Sequence, residues 1–283
     1  MPPWLLAVDP LNLLARALVA IGPLVIVPLG LAITPGSPRA LSCAAPPTAL
    51  LFAAALALPA GPLAAVLTMP WFAVTLLVGV TAATRFFRRP SKFDPAELVA
   101  DVGFAYLPIG GVWAMIHRAG VDAFGFAGTS ALLTAAHFHF AGFGLCSLLG
   151  ALLRALGPRR DAFDSAAAAL GASTVGLVAV GIVTSRAIER GSAWVLVGAV
   201  VLAARSLVRV GRAEHGASRR LSWVSAASGV VAAAFAAHYA MAGFAELGEP
   251  ALRRMLVWHA TSNALGFLGA GLLGRWLHIR ASR

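Results

Sequence analysis

The chain is a succession of apolar runs separated by short polar loops. Most are about as long as the roughly 20 residues that carry an α-helix across a hydrocarbon core. Nine runs are read along it: 11–33, 45–59, 62–84, 96–117, 128–155, 163–186, 192–209, 220–243 and 253–277. The stretch 45–84 is too long for one crossing, and Pro-Ala-Gly-Pro at 59–62 makes a tight turn. Two helices are therefore expected there, with eight spans as the alternative count. No segment between the runs is long enough to fold alone. The expectation is an all-α polytopic transmembrane helix bundle, one domain over 1–283.

Composition enters as a test of that reading. Hydrophobic residues make up 59% of the chain and charged residues 12%, with a mean hydropathy of +0.84. A soluble domain carries about 25% charged residues. One water-soluble core could not hide so much apolar surface, so the bilayer is the expected solvent and partner.

The formal net charge of +11 has a topological explanation. Basic residues follow the odd-numbered runs: Arg85, Arg88, Arg89 and Lys92, then Arg154, Arg159 and Arg160, then Arg205, Arg209, Arg212, Arg219 and Arg220, with Arg275, Arg280 and Arg283 at the end. The alternate loops hold few: Arg118, then Arg186 and Arg190, then Arg253 and Arg254. The positive-inside rule then puts the C-terminus in the cytoplasm and, with nine spans, the N-terminus outside. No nucleic-acid partner is needed to account for the charge. The Ala-, Gly- and Arg-rich composition points to a GC-rich bacterium, and so to a multi-pass protein of the cytoplasmic (inner) membrane. MPPWLLAVDP at the start lacks a basic region, so no cleaved signal peptide is expected. Cys43 and Cys146 are too few for a disulfide scaffold. Most of the seven tryptophans fall near run ends and read as interface anchors.

Histidine is the residue that this topology does not explain. His215 and His278 fall in cytoplasmic segments, but His117, His137, His139, His238 and His259 all fall in the outer half of the expected bundle. Ionisable groups inside a membrane are costly and usually face a cavity or a partner. His259 and Asn263 are four residues apart, which puts an imidazole and a carboxamide on one helix face. Glu246 follows the eighth run on the outer side, where it could fold over the cluster. The candidate site is His137, His139, His238, His259, Asn263 and Glu246. Asp101, near the cytoplasmic end of its run, reads as an interfacial carboxylate.

GFAYLPIGGVW at 103–113, LLTAAHFHFAGF at 132–143 and WHATSNALGF at 258–267 resemble the YndJ-like family of bacterial membrane proteins, over roughly residues 96–277. The resemblance points to His137, His139, His259 and Asn263. Members are often labelled transporters, and that label implies a small-molecule or proton-coupled carrier. The HFH segment is also loosely similar to the first haem-ligand helix of small haem-copper-oxidase-like proteins.

Three functions follow. An enzyme on a lipophilic small molecule would use buried histidines as acid and base, with Asn263 on a substrate oxygen and Glu246 orienting. Isomerisation, cyclisation or hydration fits a site with no cofactor motif. A metal or haem centre would take His137, His139, His238 and His259 as ligands; against it, His137 and His139 stand about 200° apart on a regular helix. A transporter would use the histidines as proton relay or substrate contacts. The enzyme reading leads, with either no cofactor or a His-ligated metal or haem.

Overall fold

The computed structural model describes residues 10–91, 93–242 and 249–282. Among the described residues there is no strand, and nine helices alternate in direction. They are α1 (10–33), α2 (Arg39–Ala57), α3 (Pro62–Arg88), α4 (Pro95–Ala119), α5 (129–156), α6 (Ala162–Thr184), α7 (Arg186–Ala213), α8 (Gly216–Ala242) and α9 (249–281). Each expected run coincides with one of them. The first eight are long and apolar enough to cross a membrane. The protein is a multi-pass membrane protein. α9 is not among the eight, and it carries His259, Thr261, Ser262 and Asn263 in its middle.

Local signals set the helix ends. Asp94 caps α4 by accepting from the Ala96 amide, with Pro95 in the first turn. Gly120, at φ 72°, ends α4 in the left-handed conformation that a Cβ disfavours. Asp161 and Asp164 form a reciprocal capping box at the start of α6.

α5 is the centre of the bundle. The most apolar window of this helix is 78% buried, against 33–50% for the other seven. Such burial without a hydrophobic driving force requires close backbone approach. Glycines provide it: Gly103 of α4 lies against Cys146, Gly30 of α1 against Phe143, and Gly171 of α6 against Leu149. A Cβ at any of these would press into its neighbour. Three helices also widen into π geometry, at Gly22–Ile26 of α1, Phe138–Gly144 of α5, and Met255–Ala260 and Ser262–Gly269 of α9. The segments Gly22–Ile26, Phe138–Gly144 and Ser262–Gly269 touch one another, so these wide turns are packed together.

The two ends are held differently. At the basic end, Arg85 Nε donates to Asp101 Oδ1 at 2.7 Å and Arg85 Nη2 to Glu97 Oε2 at 2.6 Å. Arg89 reaches Asp101 Oδ2 at 2.5 Å and Arg154 reaches Glu97 Oε1 at 2.9 Å. Asp101 is thus a buried junction between α3 and α4. Arg205 and Arg209 of α7 clasp Asp161 and Asp164, and Arg275 of α9 pairs with buried Glu214. At the opposite end, main-chain carbonyls do the holding. Arg16 and Arg118 donate to Leu56 O and Leu58 O at the end of α2, at 2.9 and 2.7 Å. His117 Nδ1 donates to Gly128 O at 3.0 Å and its Nε2 accepts from Arg118 at 3.2 Å.

Two predictions follow from the basic end. Removing one partner of a buried ion pair typically costs 3–5 kcal/mol, because the other charge stays buried. Asp101→Asn should therefore lower unfolding free energy in detergent by about 3–5 kcal/mol; a variant as stable as the parent would show that the network contributes nothing. The Arg205 guanidinium holds the Asp161 carboxyl below the usual carboxylate range. A folded pKa below the unfolded one, about 3.9, gives stability present above that pH and lost as pH falls through the folded value. The drop in melting temperature on acidification through the carboxylate range should be smaller in Asp161→Asn than in the parent.

Candidate functional site

Toward the end opposite the ion pairs, α5 and the α6–α7–α8 side move apart. The contact of α5 with α6 and α7 lies mainly in its Leu145–Leu156 half and its π segment. The space left is a cavity of about 710 Å³ with walls from α1 and α4 to α9. Its lining is mostly Ala, Val, Leu and Phe. The size falls in the usual 300–1,000 Å³ range of small-molecule sites.

His137 and His259 both line this cavity, with Asn263 beside them. His137 Nε2 lies 3.1 Å from Val175 O of α6, and His259 Nδ1 lies 2.9 Å from Ala232 O of α8. A carbonyl oxygen only accepts, so these ring nitrogens carry the protons. In the neutral rings, His137 Nδ1 and His259 Nε2 are therefore lone-pair nitrogens. Neither makes a hydrogen bond to any described residue. The Asn263 carboxamide, half-buried on the same wall, has no hydrogen bond among the described residues either. The arrangement offers two proton acceptors and one amide to whatever enters.

His139 belongs elsewhere. It is 1% exposed and does not line the cavity. Its Nδ1 donates to Ala135 O at 2.8 Å, and its Nε2 accepts from Trp71 Nε1–H at 3.1 Å, with the rings stacked at 5.8 Å. Both nitrogens are satisfied, and Gly22 and Gly110 pack on the ring. The helix widens from Phe138, yet His137 and His139 still diverge, one to the cavity and one to α3. Trp71, in the middle of α3 and not at a run end, is fully buried as the partner of His139.

His238 is exposed on α8, edge-on to the Tyr239 ring, and is not a wall residue. Glu246 lies outside the described residues. Of the four histidines proposed as metal ligands, the structure brings His137 and His259 to one space. Among the described residues no group of three or more His, Cys, Asp or Glu side chains is placed to hold a metal ion.

Several polar wall residues are not in the expected site, among them two tyrosines and a glutamate. Tyr106 of α4 donates its hydroxyl proton to Ala172 O at 2.8 Å and accepts from the Gly176 amide at 3.1 Å. It is wedged beside one rung of α6, and both of its hydrogen-bonding roles are taken. Tyr239, 8% exposed, lines the cavity near the end of α8. Glu189, 9% exposed, lines it one turn into α7. Sequence reading began this span at 192 and left Glu189 in a charged loop; the helix begins at Arg186 instead.

The segments that build the cavity are also those that carry the family resemblance. Among curated proteins and among solved structures, none matches the chain. The model of the YndJ-like proteins matches residues 17–267. The likeness therefore reaches back through α2 and α3 to α1, well before residue 96, and takes in nearly every helix around the site. This chain belongs to the YndJ-like family.

Proposed function

We propose that the protein is a membrane-embedded enzyme that rearranges a lipophilic small molecule by proton transfer, using His137 and His259 as the acid–base groups and Asn263 as the oxygen-holding amide. The observation that supports this reading is the pair of histidines whose protons are fixed on helix carbonyls. Each keeps a basic nitrogen with no hydrogen-bond partner among the described residues, inside a mostly apolar cavity.

The chemistry is redox-neutral. One imidazole takes a proton from the bound molecule, and the electron pair left behind shifts to form a new π or σ bond. The resulting imidazolium returns a proton to another atom of the same molecule. Isomerisation, cyclisation and hydration all have this form, with water as co-reactant in the last. The Asn263 amide N–H stabilises an oxygen that gains negative charge. General acid–base catalysis of this kind contributes about 10²–10⁴-fold in rate.

We place the basic end in the cytoplasm of a bacterium and the cavity in the outer half of its inner membrane. Arg88, Arg159, Arg160, Arg212, Arg219, Arg220 and Arg280 gather at the former end, which supports this orientation and a cytoplasmic C-terminus. A fluorescent protein fused at the C-terminus should fluoresce, and alkaline phosphatase fused within residues 120–128 should be active. The opposite pattern would invert the topology.

The catalytic reading is tested on neutral-lipid extracts of cells producing the parent protein, His137→Gln, His259→Gln, Asn263→Ala or His139→Phe. Mass spectrometry should find a lipophile converted to an isomer or a hydrated product by the parent. Conversion should fall about 10²-fold or more in the two cavity-histidine variants. His139→Phe should lose activity only in proportion to lost folded protein. Identical extracts from the parent and His259→Gln would overturn the proposal.

A further inference from the structure

The same cavity carries information about its ligand, and the inference drawn from it rests on the reading above. No Lys or Arg is among the described residues that line it. Besides the histidines and two tyrosines, the ionisable side chain among the described lining residues is Glu189, an acid. An anionic headgroup, whether phosphate or carboxylate, would be desolvated in a mostly apolar space with no Lys or Arg among its described walls to meet it.

Hydrogen-bond polarity narrows the class further. Because Val175 O and Ala232 O hold the histidine protons, His137 Nδ1 and His259 Nε2 face a ligand as acceptors. A carbonyl or ether oxygen brings only lone pairs and would leave both ring nitrogens unmet. A hydroxyl brings a proton for one ring nitrogen and an oxygen for the Asn263 amide, which has no hydrogen bond among the described residues. Tyr106 is wedged against α6 with both roles filled and does not compete.

We infer that the site takes a neutral lipophilic alcohol, its hydroxyl donating to the ring nitrogen of one cavity histidine, His137 or His259, and accepting from Asn263, with its hydrocarbon part in the apolar remainder of the cavity. Sites built to bond a hydroxyl discriminate strongly against analogues that lack it, because the buried polar groups are then left unpaired.

The test is equilibrium binding to the full chain in lipid nanodiscs. Tritiated geranylgeraniol competes with geranylgeraniol, its methyl ether, its aldehyde and geranylgeranoic acid. A second series uses hexadecanol and the same derivatives, so that one unsuitable hydrocarbon shape does not decide the result. In at least one series the alcohol should bind about a hundredfold or more tightly than its ether, aldehyde or acid. Asn263→Ala, checked for an unchanged melting temperature, should weaken the alcohol about tenfold or more. An ether or aldehyde that binds as well as the alcohol overturns the hydroxyl assignment, and an acid that does so overturns the neutral one. If neither alcohol binds, the alcohol class is wrong. The proton-transfer reading is then still judged on the extracts of the histidine variants, which do not depend on the probe.

Discussion

In hydrocarbon a polar donor without an acceptor costs several kcal/mol, and the cavity wall is organised by that constraint. Three ring-bearing side chains cross from one helix to another and place their donors on helix carbonyls, which have a second lone pair to offer. Tyr106 of α4 meets Ala172 O, His137 of α5 meets Val175 O, and His259 of α9 meets Ala232 O. These contacts tie α6 and α8 to the centre across the space where direct backbone packing has been given up. The cavity keeps its walls because the same groups that could do chemistry also brace the helices around it.

The braces depend in turn on how α5 is seated. It is the most buried of the apolar spans, and it sits against glycines of α1, α4 and α6. A π segment inside it begins at Phe138, immediately after His137, and π segments are frequent at functional sites. The stacked pair of His139 and Trp71 then holds the opposite face of the same turn to α3. Two histidines separated by one residue thus serve opposite purposes. One secures the helix with both nitrogens engaged, and the other presents a nitrogen to the cavity.

How much of this was legible in the sequence divides along a physical line. Depth was legible, because run length and loop charge fix where a residue lies between the two ends. The nine runs and the shared position of His137, His259 and Asn263 follow from it. Direction around the helix axis was less so. In α8, Ala-rich on all sides, no apolar stripe told whether His238 faced in or out, and it faces out. For His139 the spacing from His137 excluded a shared target, but the partner, Trp71, lies 68 residues away. Nothing local announces such a pair. Glu189 was hidden by a boundary error, since charged residues at the start of α7 read as loop when hydropathy alone sets the limits.

The carbonyl contacts of His137 and His259 have a consequence for proton movement as such. An imidazole conducts protons when one nitrogen receives while the other releases to an acceptor that can pass the charge onward. Here the far nitrogen of each ring faces a helix carbonyl inside the membrane, and a carbonyl in that setting takes a hydrogen bond but carries no proton further. On the proposed reading each ring is therefore a cul-de-sac: it takes a proton from the cavity and gives it back on the same side, as a reservoir does, rather than linking a wire across the bilayer.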